Sequence, residues 1–160
     1  SNVLVNNKYM PFKHKSGRTK TMSLPKRATL AVPIAVGDWL EFSDTGAAGL
    51  FRHVGDTALT RMPLFGVAAQ DVATTDTTTN PIAVEVPLEN YVEWEFDTDS
   101  DGGLVASDVG GLRDIDTLGR NVDRSVSASK QIRVTKLISA TKGLGILNRG
   151  ALFFGGPYTT

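Results

Sequence analysis

The chain contains no cysteine, so disulfide bonds and thiolate metal sites are unavailable to it. It has only two histidines, His14 and His53, and no G-x-S-x-G motif, so the usual partners of a nucleophilic residue are missing. Neither the phosphate-binding G-x-x-x-x-G-K-[ST] pattern nor the dinucleotide-binding G-x-G-x-x-G pattern occurs. These absences favour a protein that is not an enzyme and that needs no cofactor.

Long apolar runs are also missing. No stretch approaches the ~20 apolar residues that a membrane-spanning helix needs. The basic N-terminus lacks the apolar core of a signal peptide. We therefore expect no membrane partner.

Acidic residues are absent from the first 37 positions, which carry seven bases. From Asp38 onward, 17 acids face 10 bases, so a segment of charge +7 precedes a body of charge −7. The net charge of zero conceals this asymmetry, which is typical of a tail that meets a partner. The compensating negative charge lies on the same body, on a neighbouring copy, on another protein or on nucleic acid.

Residues 1–27 combine these bases with isolated apolar residues, while Pro11, Gly17 and Pro25 interrupt any regular element. The pattern predicts an extended basic arm over 1–27 and a β domain over 28–160, and we expect the β domain to fold without the arm. The alternative is a solvated tail. The candidate partner-binding residues are Lys8, Tyr9, Phe12, Lys13, Lys15, Arg18, Lys20, Lys26 and Arg27.

The remainder of the chain has a β pattern, because no segment sustains a helical apolar stripe over three turns. The clearest alternation is at Tyr91–Phe96, while the threonine-rich run Asp71–Asn80 predicts a loop and Ala106–Val109 or Thr57–Arg61 a short helix. Ala28–Val36 is apolar and interrupted by Pro33, which favours an edge strand or a bend. The other predicted strands are Trp39–Phe42, Leu50–Val54, Leu64–Ala69, Ile82–Val86, Gln131–Ile138, Leu144–Leu147 and Leu152–Phe154. Short strands separated by turn residues predict a mainly β fold.

One acidic run has the spacing of a calcium loop. Asp97, Asp99 and Asp101 precede Gly102 in a D-x-D-x-D-G pattern, which lets alternate carboxylates converge on one hard cation. At the twelfth position, however, Asp108 replaces the usual bidentate Glu, and a strand rather than a helix precedes the run. We favour a polar hairpin loop and keep calcium as the alternative.

Nucleic acid is the obvious partner for a basic arm with interleaved aromatic residues. The acidic body and a pI near 6.7 argue against it, because nucleic-acid-binding domains are usually basic.

Three stretches resemble the small capsid decoration proteins, also called cement proteins, of tailed bacteriophages. The stretch 36–42 (V-G-D-W-L-E-F) resembles their opening strand, and 62–68 (M-P-L-F-G-V-A) resembles their return strand. The third stretch combines 106–110 (A-S-D-V-G), 121–123 (N-V-D) and 131–134 (Q-I-R-V). Together they span roughly residues 36–138, and the resemblance lies in their order and spacing.

The resemblance implies a small barrel-like or tulip-like β fold. It also implies a non-enzymatic virion protein on the outer capsid surface, which bridges major capsid protein subunits and stabilises their lattice. A homotrimer or similar cluster on the capsid, and an N-terminal arm that pairs with capsid strands, are expected on the same basis. The alternatives are another virion component, such as a head-fibre base, a minor head protein or a tail protein, and a nucleic-acid-binding module that uses the arm.

Overall fold

The computed structural model describes residues 11–43, 49–52, 64–98, 103–116, 119–125 and 130–148. The fold of these residues is mainly β, which confirms the prediction from the sequence. The strands are β1 Phe12–Ser16, β2 Thr19–Pro25, β3 Trp39–Ser43, β4 Gly49–Arg52, β5 Gly66–Ala68, β6 Pro81–Pro87, β7 Glu93–Asp97, β8 Leu112–Ile115, β9 Val122–Asp123, β10 Ile132–Leu137 and β11 Lys142–Leu147.

Helical structure in the described ranges is limited to one 3₁₀ turn, Ala106–Asp108. This turn lies within one of the two predicted helical stretches, and the other, Thr57–Arg61, lies outside the described residues. No helix in the described part of the chain is long and apolar enough to cross a membrane.

The strands form two antiparallel sheets. Sheet A has the order β1-β7-β11-β10-β8-β9, and sheet B has the order β2-β6-β5-β3-β4. Sheet B curls so that Lys26, just after β2, forms a parallel bridge with Leu50 of β4. Neither sheet closes into a barrel, so the small β domain consists of two open sheets.

Residues 12–25 are part of these sheets, which corrects the prediction of an extended arm over 1–27. Strand β1 pairs along β7 in sheet A, and β2 pairs along the whole of β6 in sheet B. The β domain therefore begins by Phe12 rather than at residue 28. Residues 1–10 of the predicted arm lie outside the described residues.

Gly17 allows the chain to pass from one sheet to the other between β1 and β2. It adopts a φ of 91°, a backbone conformation that residues with a Cβ rarely adopt. A Cβ at this position would lie 2.8 Å from the Cα of Val92, so a side chain does not fit. Gly17 is therefore required in the connection between β1 of sheet A and β2 of sheet B.

The main core lies between the sheets. Trp39 of sheet B and Trp94 of sheet A meet edge to face, with ring centroids 5.1 Å apart, and Phe12 packs on Trp39 at 5.8 Å. Edge-to-face contacts of this kind add to the hydrophobic gain from burying large rings. The other buried members of this cluster are Leu64, Val67, Val92, Phe96, Leu104, Ile115, Val122, Ile132, Val134 and Leu147.

A second core fills the concave face of sheet B. Leu40, Leu50 and Val84 are fully buried there, and Leu30 and Ile34 cover them from the segment before β3. That segment lies within Ala28–Val36, where Pro33 predicts an edge strand or a bend. The structure has the bend: these residues fill the core and, within the described ranges, form one bridge, between Ile34 and Val72.

Candidate functional site: the basic segment and its acidic partners

The predicted partner-binding residues fall into different environments. Phe12 is 1% exposed and Lys26 is 0% exposed, so neither side chain is available to a partner of the folded domain. This corrects their assignment as contact residues. Lys8 and Tyr9 lie outside the described residues.

Lys13, Lys15 and Lys20 are exposed on strands that form the outer edges of the two sheets. Lys13 lies directly opposite Glu95 of β7 in the antiparallel register. Opposite charges at such a position stabilise strand pairing modestly. Lysine on an edge strand also discourages uncontrolled pairing with other chains, because another strand would have to accommodate its charge.

Arg18, in the turn between β1 and β2, pairs with Glu89. Its Nε lies 3.3 Å from Glu89 Oε2, and its backbone N–H donates to Oε1 at 3.0 Å. The backbone hydrogen bond, supported by the guanidinium, lowers the pKa of Glu89 below its ordinary value. This contact fastens the turn to the loop after β6.

Lys26 is a buried cation held by the threonine-rich loop. Its Nζ donates to the backbone carbonyl of Asp76 at 2.7 Å and lies 3.6 Å from Asp76 Oδ1. The Thr78 hydroxyl and backbone N–H, helped by Lys26, lower the pKa of Asp76. Arg27 is half-buried, and its backbone N–H donates to Leu50 at 2.9 Å.

The acidic body thus supplies much of the negative charge that the basic segment requires. Arg18 and Lys26 form ion pairs within the chain, and Lys13 faces a carboxylate across the sheet. For Arg18, Lys26 and Lys13, the compensating negative charge therefore lies on the acidic body of the same chain.

Two buried carboxylates lie within the stretches 36–42 and 106–110. Asp38 is 0% exposed and receives two hydrogen bonds from Arg120, at 2.8 and 3.2 Å, and one from the backbone of Ala35 at 2.8 Å. The pair joins the start of β3 to the segment that precedes β9. Asp38 therefore fixes the fold and is not presented to a substrate.

Asp108, the last residue of the 3₁₀ turn, is also buried. Arg113 and Arg124 donate to its two oxygens at 3.0 and 2.9 Å, and the backbone N–H of Val105 donates at 2.8 Å. Burial alone would raise the pKa of Asp108, but the Val105 hydrogen bond and the two guanidiniums lower it overall. The carboxylate proposed as the twelfth residue of a calcium loop is thus held by two arginines.

The calcium prediction rests on residues that the structure describes only in part. Asp97 accepts a hydrogen bond from Lys142 Nζ at 2.8 Å, while Asp99 and Asp101 lie outside the described residues. Within the described ranges, no three acidic or histidine side chains are grouped as metal ligands would be. The partner of Asp97 is a lysine, as expected for the hairpin-loop interpretation.

His14 has a structural role in the described part of the chain. Its Nε2 lies 2.7 Å from the carbonyl oxygen of Gly17, and its ring packs edge to face on Trp94 at 5.7 Å. The second histidine, His53, lies outside the described residues.

A surface cavity of about 160 Å³ lies at the end of sheet A where β7 begins. Its walls are formed by Asn90, Tyr91, Arg133, Ile146, Leu147 and Asn148. Sequence reasoning missed this site because it treated Tyr91 as the first residue of a strand. The pair Asn90-Tyr91 could have indicated this site, because a polar and an aromatic residue stand together at the start of the alternating run.

Comparisons with known protein families, with curated proteins and with solved structures gave no match to this chain.

Proposed function

We propose that the chain is a structural protein of a tailed-bacteriophage virion, which decorates the outer capsid surface and stabilises the capsid lattice. The observation that carries this proposal is the ordered set of three stretches that resemble decoration proteins. Trp39 of the first stretch pairs directly with Val67 of the second, so the two form neighbouring strands. Asp38 of the first stretch and Asp108 of the third are each paired with arginines within the fold.

A stabilising role needs a rigid subunit that binds only the assembled lattice, because binding to one state shifts the equilibrium toward that state. The internal ion pairs of Asp38 and Asp108 support a rigid subunit of this kind. We propose the major capsid protein as the partner, with copies grouped as a homotrimer or similar cluster on the capsid.

The exposed bases of the edge strands are the proposed contact surface. Lys13, Lys15 and Lys20 lie on β1 and β2, the first strands in the order of sheets A and B. Lys20 is near the beginning of β2, away from the bridge between Lys26 and β4. The charges of these three lysines supply long-range attraction to an acidic lattice, and an exposed strand edge can add main-chain pairing. The proposed contact surface is therefore smaller than the set of partner-binding residues that the sequence predicts.

A cryo-electron microscopy map of the particle that contains this protein tests the location. We expect density for the domain on the outer capsid surface, between neighbouring capsid subunits. Density at the portal vertex, in the tail or in the interior would replace this proposal with another virion role.

A binding assay with DNA-free expanded heads tests the contact surface. The variant Lys15→Glu/Lys20→Glu should co-sediment with heads less than the native chain, most clearly at low salt, because salt screens exposed charges. The matched control is Lys130→Glu/Lys136→Glu, which reverses two exposed lysines elsewhere on the domain. Equal binding of the two variants would rule out the edge strands as the contact.

A further inference from the structure

The cavity at the end of sheet A combines an aromatic ring with polar groups in a way that the fold itself does not require. Tyr91 is 78% exposed, although a large ring at this level of exposure contributes little to the core. Among the described residues, neither its hydroxyl nor the side-chain amide of Asn90 has a hydrogen-bond partner. Both groups are therefore available to a ligand at the mouth of the cavity.

The opposite wall is held in place by hydrogen bonds to the backbone. Asn148 donates from Nδ2 to the carbonyl of Lys130 at 3.0 Å, which leaves its side-chain oxygen facing other partners. Arg133 donates from one terminal nitrogen to the carbonyl of Gly110, so its guanidinium is fixed while other N–H groups remain. A wall fixed before binding lowers the entropy that ligand binding must overcome.

Lys130, which anchors Asn148, has an unusual backbone conformation. Its φ is 52°, the only positive value for a residue other than glycine in the described ranges, and its N–H donates to Asp114 Oδ1 at 2.7 Å. Left-handed conformations of residues other than glycine or asparagine are costly and are found often at functional sites. Here the strained residue presents its carbonyl to a residue that lines the cavity.

The chemistry of the lining selects an uncharged ligand with hydroxyl groups. Two carboxamides, a phenol and a guanidinium offer both donors and acceptors, which suits hydroxyls because each can donate and accept. Ile146, which lies opposite Arg133 in the β10–β11 register, supplies apolar surface, and the Tyr91 ring supplies a flat apolar face. The lining holds a single charged side chain, Arg133, so most of its polar groups are neutral.

From this juxtaposition we infer that the cavity is a binding site for a single pyranose sugar ring, which stacks on Tyr91 and bonds to Asn90, Asn148 and Arg133. A pyranose has one flat face of C–H groups and an edge of hydroxyls, and it is small enough for a site of this volume. The inference does not depend on the proposed virion role.

The same surface could contact another protein, since exposed tyrosines are common at interfaces. The observations favour a sugar ligand over a protein partner, because Tyr91 lines a small cavity together with two amide side chains and does not lie in a broad apolar patch. Leu88 is the one other large apolar residue exposed on the same β6–β7 turn in the described chain, and it does not line the cavity.

Saturation-transfer NMR on the full chain tests the site, with the methyl glycosides of glucose, galactose, mannose and N-acetylglucosamine as probes. We expect at least one to bind with a Kd on the order of 1 mM, as is reasonable for a small ligand in a shallow site. Tyr91→Ala should weaken that binding about tenfold through loss of stacking, and Tyr91→Phe should retain most of it. Leu88→Ala is the matched control and should bind like the native chain.

Two outcomes would overturn the inference. The first is no transfer from any of the four probes, and loss of attachment to capsids in Tyr91→Ala would then assign the surface to a protein interface. The second is equal sugar binding by the native chain and Tyr91→Ala. Because the sugar assay uses no capsids, its failure leaves the virion proposal to be judged separately.

Discussion

At the scale of single residues, the stability of the domain depends on carboxylates that the fold keeps ionised. Asp108 is almost fully buried, yet three hydrogen bonds to its charged form hold its pKa below the ordinary value. Removing one partner of a buried ion pair leaves an uncompensated charge, which is far more costly than losing a surface pair. The buried carboxylate and its two arginines therefore act as one structural unit.

Asp108→Asn should lower the free energy of unfolding at pH 7 by about 3 kcal/mol. The native carboxylate has a depressed folded-state pKa, so its contribution is present above the unfolded value near 3.8 and is lost as pH falls through the folded value. The native chain should therefore lose more stability between pH 5 and pH 3 than Asp108→Asn does. Urea unfolding monitored by tryptophan fluorescence across this range measures both effects.

The control for this comparison is Asp123→Asn, since Asp123 accepts bonds only from Ser125 in the same turn among the described contacts. Its unfolding should show the pH dependence of the native chain. Asp76 and Glu89 also have lowered pKa values and remain in both variants, so some acid sensitivity persists throughout. Parallel pH profiles for native chain and Asp108→Asn would contradict the prediction.

At the scale of elements, the basic segment forms a strand of each sheet, and its first strand contributes to the main core. Phe12 is buried against Trp39, and β1 pairs with β7 beside Trp94. The hydrophobic effect and main-chain hydrogen bonding both depend on this strand. The segment is thus required for folding.

Phe12→Ala should destabilise the domain by about 3–5 kcal/mol, because it removes a large ring and leaves a cavity between the sheets. Deletion of residues 1–18, which removes β1, should prevent cooperative thermal unfolding altogether. Circular dichroism melting curves measure both. Leu88→Ala, at a residue that is 52% exposed, should change stability by less than about 0.5 kcal/mol. A folded, cooperative truncation variant would restore the interpretation of residues 12–18 as a dispensable arm.

The sequence predicts the central strands better than the edges, for a physical reason. Strand β7 alternates cleanly because one of its faces lies in the core, and its sequence shows buried Trp94 and Phe96 between half-buried acids. Strand β2 is an edge strand with only half-buried apolar positions, so Met22 and Leu24 are surrounded by exposed polar residues. The exposed polar and basic residues of β2 reflect its position at the edge of the sheet, and for this reason its sequence does not show the alternation of a strand.

The shortest strands could not be predicted from the sequence, and at Pro33 the sequence left an edge strand and a bend as alternatives. Strands β8 and β9 contain four and two residues, too few for alternation to be recognised. The segment before β3 has an apolar pattern, but Pro33 removes a backbone donor and the chain fills a core without joining a sheet. The ion pair between Asp38 and Arg120 joins residues 82 positions apart, a separation that no local pattern reveals.

At the scale of the whole molecule, the opposite charges of the two parts are partly compensated within one chain. Arg18 and Lys26 of the basic segment each form an ion pair with an acid of the body, and Lys13 lies opposite Glu95. Internal pairing leaves fewer exposed bases to attract a second copy than the sequence alone suggests. Self-association through opposite charges is therefore weaker than a separate basic arm would produce.

The distribution of exposed apolar side chains also indicates weak self-association. The described residues expose five large apolar side chains, which lie on three different loops: Leu88 and Tyr91, Val105 and Val109, and Ile138. A stable interface usually buries about 800 Å² on each partner and has a continuous apolar centre. Scattered single residues do not provide one.

We therefore predict that the chain is monomeric in solution at micromolar concentration and clusters only on a capsid lattice. The lattice would hold copies side by side at a high effective concentration, so that contacts too weak to form in solution become occupied. Sedimentation velocity at low and high salt measures the solution state, and the particle map shows whether copies touch. A stable trimer in solution would mean that a substantial interface exists outside the surfaces considered above. Isolated, non-contacting copies on the particle would remove the cluster from the proposal while leaving decoration itself intact.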